Sequence, residues 1–138
     1  MPTGSCLCGN VTYSYIGLPY RTLVCHCMHD RKVSGSAFTT DHVVLENAFT
    51  LVTGVPKIVL RTGISGMNSR LHSCPNCNIT LFEMAELWPG RVIIKAGTLD
   101  DKEVMDAVKP EMELFISRKA AWLPKLAENQ FETQPLEL

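Results

Sequence analysis

Six cysteines in three short pairs are the residues of this chain best suited to chemistry. They occur as Cys6-Leu7-Cys8, Cys25-His26-Cys27 and Cys74-Pro75-Asn76-Cys77. An even number of cysteines first suggests a disulfide framework, but cysteines so close in the chain rarely pair with each other. Hydrophobic residues make up 46% of the chain, which is enough for a core without cross-links. The spacing therefore favours shared metal ions over cystines.

The first and last pairs together supply four thiolates, a common ligand set of structural zinc. Residues two apart in an extended strand point to the same side, so Cys6 and Cys8 are expected to present their sulfurs together. Cys74 and Cys77 have the spacing of a zinc knuckle, and Asn78 tolerates the positive φ that such a turn needs. Four sulfur ligands leave no open position. This zinc site is therefore predicted to be structural and necessary for folding.

The middle pair cannot close a metal site alone. Asp30 follows three residues after Cys27, a spacing from which a turn can return its carboxylate to the same ion. Ligation by Cys25, Cys27 and Asp30 would leave a fourth position for water or substrate, as in catalytic zinc sites. Alternatively, the two cysteines fill the core and Asp30 lies in a solvated turn. His29 is a weaker candidate ligand, and His26 is expected to be a hydrogen-bonded core or surface residue.

The elements that must position these residues are predicted to be mainly β-strands. Segments rich in β-branched and aromatic residues recur at short intervals between glycines and prolines. They predict strands at 11–16, 21–27, 37–40, 43–45, 49–52, 57–61, 69–73, 80–83, 91–96 and 113–117. The strands at 43–45 and 49–52 are expected to form a hairpin across Glu46-Asn47. Helical periodicity is weak, with one or two turns predicted over 100–108.

Length and charge limit the class of protein. At 138 residues the chain is predicted to be one domain, 1–138, with a polar, loose tail from about residue 131. The net charge is -1 and no basic block stands out, which argues against nucleic-acid binding and against an anionic membrane partner. No secretory signal pattern begins the chain, and the apolar runs are too short to cross a bilayer. A cytoplasmic protein with a small-molecule substrate is expected.

The cysteine motifs and the segments around them resemble the glutathione-dependent formaldehyde-activating enzyme family and its centromere protein V relatives. The similarity covers roughly residues 3 to 122, and the segments that carry it are Gly4–Tyr13, Cys25–Cys27, Arg31–Phe38, and Cys74–Cys77 with Leu81-Phe82. The resemblance implies an Mss4-like fold, in which zinc joins β-sheets. It also implies carbon–sulfur lyase activity on glutathione S-adducts, with structural zinc on Cys6, Cys8, Cys74 and Cys77 and catalytic zinc on Cys25 and Cys27.

Two residues depart from the family pattern. Asp30 stands where the family motif C-H-C-x-x-C-R has its third cysteine, and Asn78 stands where glycine is preferred. The change at Asn78 is expected to be tolerated. A carboxylate donates less charge to zinc than a thiolate does, so Asp30 should leave the ion a stronger Lewis acid or a more weakly bound one.

The predicted function is that of a zinc-dependent carbon–sulfur lyase acting on a glutathione adduct or a related small carbonyl compound. Cys25, Cys27 and Asp30 are its candidate catalytic and metal-binding residues, and glutathione is a candidate co-substrate. If Asp30 does not bind the metal, it is a candidate general base. An anionic group of the substrate could be held by the polar residues that follow, Arg31, Lys32, Ser34 and Ser36.

Two alternatives use the same scaffold. One is a dehydratase, isomerase or cyclase of specialised metabolism, and the other is a non-catalytic zinc-binding module that has lost the second metal. A redox function of Cys74 and Cys77 is disfavoured because Asn78-Ile79-Thr80 does not resemble the helix start that normally follows a redox C-x-x-C pair.

Overall fold

The computed structural model describes residues 1–138 and is built mainly from β-strands, which confirms the predicted fold class. The strands are β1 Thr3–Ser5, β2 Thr12–Tyr15, β3 Arg21–Cys25, β4 Thr39–Leu45, β5 Phe49–Thr53, β6 Lys57–Thr62, β7 Asn68–Ser73, β8 Thr80–Ala85, β9 Arg91–Lys95, β10 Met112–Leu114 and β11 Asn129–Gln130. The α-helices are α1 Met28–Ser34 and α2 Lys102–Asp106. Neither combines the length and the apolar character that a membrane crossing would need.

The strands form two sheets of unequal size. The smaller sheet has the order β1-β2-β5, and the larger has the order β11-β10-β3-β4-β9-β8-β7-β6. From β3 to β6 the neighbouring strands are antiparallel, whereas β10 runs parallel to both β3 and β11. This order brings residues distant in the chain together across the middle of the large sheet.

The central strands of the large sheet are buried on both faces. Val44 and Ile94 face the small sheet and pack with Tyr13 in one core cluster. Their neighbours Val43 and Ile93 point the opposite way, into a second cluster on the other face of the sheet, because successive side chains of a strand alternate. Burial on both faces explains the apolar runs Val43-Val44 in β4 and Val92–Ile94 in β9.

The predicted hairpin between 43–45 and 49–52 is wrong. The predicted strands at 37–40 and 43–45 belong to β4, which pairs with β3 and β9 in the large sheet. β5 instead pairs with β2 in the small sheet. A 3-10 helix over Glu46–Ala48 carries the chain from one sheet to the other. The polar residues between the two strands therefore mark a crossover.

The strand predicted at 113–117 is shorter than expected. β10 ends at Leu114 because Phe115 adopts a left-handed backbone conformation, with φ 58 and ψ 48. A 3-10 helix over Ile116–Arg118 follows. The turn redirects the chain away from the sheet and across the second core cluster.

The last residues, expected to be loose, have defined contacts in the structure. Phe131 and Leu138 pack against the second core cluster. The Phe115 N–H donates to the Thr133 carbonyl at 2.8 Å. The indole N–H of Trp88 donates to the Pro135 carbonyl at 3.3 Å. These contacts keep the segment on the face of the sheet that carries the second cluster.

Candidate metal centres and their cavity

The first and last cysteine pairs meet although Cys8 and Cys74 are 66 residues apart in the chain. The four sulfurs lie within 4.8 Å of one another, and Cys8 Sγ is 3.7 Å from the sulfurs of both Cys6 and Cys74. All six cysteines of the chain are free. A disulfide needs about 2.05 Å between sulfurs, whereas tetrahedral zinc with Zn–S bonds of about 2.3 Å places its sulfurs roughly 3.8 Å apart. The geometry of this four-sulfur cluster therefore fits zinc.

Cys6 and Cys8 reach the cluster through a turn, so the extended strand predicted for them is wrong. β1 ends at Ser5, and the Gly9 N–H donates to the Cys6 carbonyl at 3.0 Å. Gly9 has φ 78, which glycine adopts without steric cost. The Val11 N–H then donates to Cys6 Sγ at 3.3 Å. The sulfurs converge as expected, but a tight turn positions them rather than the pleat of a strand.

Cys74 and Cys77 form the knuckle that their spacing predicted. The N–H groups of Asn76 and Cys77 both donate to Cys74 Sγ at 3.4 Å. Asn78 has φ 66, in agreement with the expectation of positive φ at this position. Hydrogen bonds from backbone N–H groups favour the thiolate form, and the N–H of Ile79 is the main reason that the pKa of Cys77 is lowered to about 6.

Cys25, Cys27 and Asp30 form a second cluster, with their ligand atoms within 4.8 Å of one another. Cys25 is the last residue of β3, and Cys27 is the N-cap of α1, where its sulfur accepts the Asp30 N–H at 3.3 Å. This helix was not predicted from the sequence, because cysteine replaces the usual serine, threonine or aspartate cap. Gly35, which ends the helix at φ 65, was the residue from which the end of a helix could have been predicted.

Asp30 is buried, with 2% of its surface exposed, so the alternative of a solvated turn is wrong. Its Oδ1 accepts from Arg61 Nη1 at 3.2 Å and lies 3.6 Å from Lys95 Nζ. Its Oδ2 accepts from the Thr39 hydroxyl at 3.1 Å. Burial alone would raise the pKa of Asp30, but Lys95 and Arg61 outweigh burial and hold the pKa below its usual value. Asp30 is therefore a carboxylate inside the protein.

Two further buried carboxylates share these cations. Lys95 Nζ is 3.1 Å from Asp41 Oδ1 and 3.4 Å from Glu83 Oε2. Arg61 Nη2 donates to Glu83 Oε1 at 2.6 Å. Burial raises the pKa of Asp41 to about 7 despite the nearby ammonium group. The buried charge network thus joins Arg61 and Lys95 to Asp30, Asp41 and Glu83.

The other members of this charge network were not among the predicted site residues. Glu83 follows two buried apolar residues of β8, and Lys95 follows the buried apolar run of β9, so each buried charge needs a partner. A charged residue beside such an apolar run was the feature of the sequence that could have indicated a buried ion pair. It did not indicate that these two residues meet Asp30, because their contact depends on the order of the strands.

His26 lies in the core, one of the two settings expected for it. It is fully buried, and its Nε2 is 2.9 Å from Glu113 Oε1. Glu113 also accepts hydrogen bonds from Lys119, from Gln130 and from the backbone N–H groups of Leu126 and Ala127. Despite burial, these donors hold the pKa of Glu113 well below its usual range. The pair fixes the segment after β10 against the second cysteine cluster.

A cavity of about 220 Å³ opens beside the second cluster. Its polar wall includes Cys25, Cys27, Asp30, Asp41, Arg61 and Glu83. Its apolar wall includes Leu23, Trp88, Ile93, Leu114 and Phe115. His29 also lines the cavity, but four residues expected to hold an anionic group do not: Arg31, Lys32, Ser34 and Ser36. These four lie on and after α1, and the Ser34 hydroxyl donates to the Asp30 carbonyl at 2.7 Å.

The chain combines two β-sheets with a cluster of four cysteine sulfurs and a second cluster of three ligands. These features define a class of small β-protein whose cysteine clusters could hold metal ions. The model of the glutathione-dependent formaldehyde-activating enzyme family matches residues 1–118, so the chain belongs to that family, as predicted. A crystal structure of a Rhodobacter sphaeroides protein, a structural genomics target, matches with a TM-score of 0.60 and 16% identity. The match covers 78% of this chain and 96% of that one, and at this identity it shows the fold alone. No curated protein matches this chain.

Proposed function

We propose that this protein is a zinc-dependent enzyme of the carbon–sulfur lyase type, acting on a glutathione adduct or a related small carbonyl compound. The observation that carries the proposal is the convergence of Cys25, Cys27 and Asp30 within 4.8 Å on the wall of a cavity. Membership of the formaldehyde-activating family supports a reaction of this kind.

The donor atoms of the second cluster suit zinc. Zinc binds thiolates and carboxylates, and three protein ligands leave one position for a substrate. Asp30 Oδ1 faces Arg61 and Lys95, whereas the only hydrogen bond to Oδ2 comes from Thr39. Oδ2 is thus the oxygen with remaining capacity for a metal. The four-sulfur cluster is proposed to hold a separate, structural zinc.

A zinc ion at the second cluster would act as a Lewis acid toward a sulfur or carbonyl oxygen of the substrate. Arg61 and Lys95 pair with Asp30 and keep it ionised. Because the pKa of Asp30 is lowered, Asp30 is a weak base. Asp41 also lines the cavity, and its pKa of about 7 makes it the better candidate to move a proton near neutral pH.

The test is metal content per chain, measured by elemental analysis on protein purified without chelator. We expect two zinc ions per chain in the natural protein and one in Cys25→Ala and Cys27→Ala, which should also lose turnover of the glutathione–formaldehyde adduct. Ser36→Ala, an exposed change on the same loop, is the matched control and should keep both. Asp30→Cys should keep the second metal and Asp30→Ala should lose it.

A folded natural protein with one zinc per chain, and with no change in Cys25→Ala, would support the non-catalytic zinc-binding module instead. If Asp30→Ala keeps both the second metal and turnover, Asp30 is not a ligand. Metal content and turnover of the Cys25→Ala protein therefore distinguish the two functions, and Asp30→Ala tests the third ligand.

A further inference from the structure

We propose that Arg118 is the anion-binding residue of this cavity. Its preferred ligand would be a small carbonyl compound with an apolar body and one carboxylate, bound more tightly than a tripeptide adduct. The inference rests on the proposed function, because it names the substrate class of the same site. It follows from three features of the cavity: its free charge, its apolar wall and its size.

The first feature is the distribution of positive charge. Arg61 and Arg118 are the only arginine or lysine side chains that line the cavity. Arg61 is neutralised by Glu83 and Asp30, at 2.6 and 3.2 Å. Arg118 is exposed and makes no ion pair or side-chain hydrogen bond. A guanidinium group binds a carboxylate through two parallel hydrogen bonds, so Arg118 is suited to anchor one anionic group.

The backbone that carries Arg118 is held on both sides. The Arg118 N–H donates to the Phe115 carbonyl at 2.9 Å, and the Ser117 hydroxyl donates to the Glu132 carbonyl at 2.8 Å. The next residue, Lys119, forms an ion pair of 2.8 Å with buried Glu113. The neighbours of Arg118 are therefore fixed while its own side chain remains free. The backbone is thus positioned at the cavity wall in advance, and only the Arg118 side chain has to become ordered when a ligand binds.

The second feature is the apolar wall. Trp88 and Phe115 are half-buried and line the cavity together with buried Ile93 and Leu114. The Trp88 indole N–H is already bonded to the Pro135 carbonyl, so its ring remains for apolar contact. Such a wall favours an aryl or alkyl body.

The third feature combines size with the buried acids. About 220 Å³ is below the roughly 300–1,000 Å³ usual for ligand pockets. Glutathione carries two carboxylates and an ammonium group along a polar tripeptide, whereas the cavity offers one free cation. Asp30, Asp41 and Glu83 outnumber their two cations, Arg61 and Lys95, so the buried network has no spare positive charge for a second anionic group. A compact monocarboxylate with its carbonyl toward the buried cluster and its carboxylate toward exposed Arg118 satisfies all three features.

The test compares matched probes on the zinc-loaded protein by isothermal titration calorimetry. We expect 4-carboxybenzaldehyde to bind about tenfold more tightly than its uncharged methyl ester, the difference expected from one charge-assisted pair with Arg118. It should also bind more tightly than the glutathione–formaldehyde adduct. Arg118→Gln should abolish the preference for the acid over the ester, and Arg118→Lys should restore part of it. Arg70→Gln, which removes an exposed arginine outside the cavity, should leave the preference intact.

Equal binding of acid and ester, or an unchanged preference in Arg118→Gln, would overturn the proposal. Tighter binding of the glutathione adduct that does not depend on Arg118 would overturn it too. These outcomes are separate from those for the proposed function, which are read from metal content and turnover. Loss of the acid preference in Arg118→Gln in a protein without turnover would support the binding role of Arg118 while refuting the enzyme.

Discussion

The two cysteine clusters differ in what surrounds their sulfurs. In the four-sulfur cluster the neighbours are backbone N–H groups, such as those of Val11 and Asn76, and the core between the sheets. In the second cluster the neighbours of Asp30 are Arg61 and Lys95, and one side is open to a cavity. Both clusters bring their ligand atoms within 4.8 Å. The difference in surroundings therefore predicts a structural role for the four-sulfur cluster and a ligand-binding role for the second cluster.

This difference determines where each cluster contributes free energy. In the four-sulfur cluster the protein supplies all the donors, and a metal bound there would link the N-terminal turn to the knuckle after β7, so we expect its binding to be coupled to folding. In the second cluster a buried network of ion pairs holds Asp30 in place, and none of its members belongs to the four-sulfur cluster. Loss of metal should accordingly unfold one region and inactivate the other.

The largest effect is expected for Cys74→Ser, which removes one donor of the four-sulfur cluster at nearly constant volume. Structural zinc contributes apparent binding free energies on the order of 10 kcal/mol, more than the marginal stability of a domain this size. We expect the variant to lose its structural zinc and to be largely unfolded. Far-UV circular dichroism and elemental analysis measure the two effects.

Cys25→Ser is the matched control for this experiment. It changes a buried cysteine of the other cluster, so it should lower the metal content by one ion per chain. Its circular dichroism spectrum should remain the same as that of the natural protein. A folded Cys74→Ser protein with full zinc content would show that the four-sulfur cluster is not the structural site.

The features predictable from sequence were those set by short spacing. The C-x-C and C-x-x-C pairs predicted which sulfurs gather, and Asn78 predicted a left-handed turn, because both depend on residues within a few positions. The partners of Asp30 were not predictable in this way. Arg61 comes from β6 and Lys95 from β9, which reach Asp30 only through the strand order of the large sheet.

The wrong hairpin has the same physical origin. The strands at 43–45 and 49–52 both exist, but the choice between pairing with each other and crossing to another sheet depends on distant partners. β4 pairs with β3 and β9, whereas β5 pairs with β2. Local pattern locates strands, and long-range burial decides which strands become neighbours.

An intermediate effect on the free energy of unfolding is expected for Lys95→Met, which tests whether ion pairs maintain the second cluster. Lys95 is buried against Asp30, Asp41 and Glu83, so its removal leaves Asp41 without a cation and leaves Asp30 and Glu83 with Arg61 alone. Breaking one partner of a buried ion pair costs about 3–5 kcal/mol. Urea unfolding of the zinc-loaded protein should show this loss while the four-sulfur cluster keeps its metal.

Lys102→Met serves as the control, because Lys102 pairs with Asp106 on the exposed surface of α2. Exposed pairs contribute about 0–1 kcal/mol, so this variant should unfold near the natural midpoint. Equal losses for the two variants would contradict the role of Lys95 in the second cluster.

The smallest effect is expected at Asn78, the departure from the family pattern that lies beside the four-sulfur cluster. Glycine adopts a φ of 66 without steric cost, and the Asn78 side chain makes one exposed hydrogen bond, with Lys57 Nζ. Asn78→Gly should therefore change the free energy of unfolding by less than about 1 kcal/mol, whereas Asn78→Ala should lose roughly 1–2 kcal/mol because alanine pays the full cost of the left-handed conformation. Zinc content and turnover should stay unchanged in both variants, in contrast to Asp30→Ala. An unfolding free energy for Asn78→Ala equal to that of Asn78→Gly would show that the backbone at this turn relaxes, and that the knuckle does not require the left-handed residue.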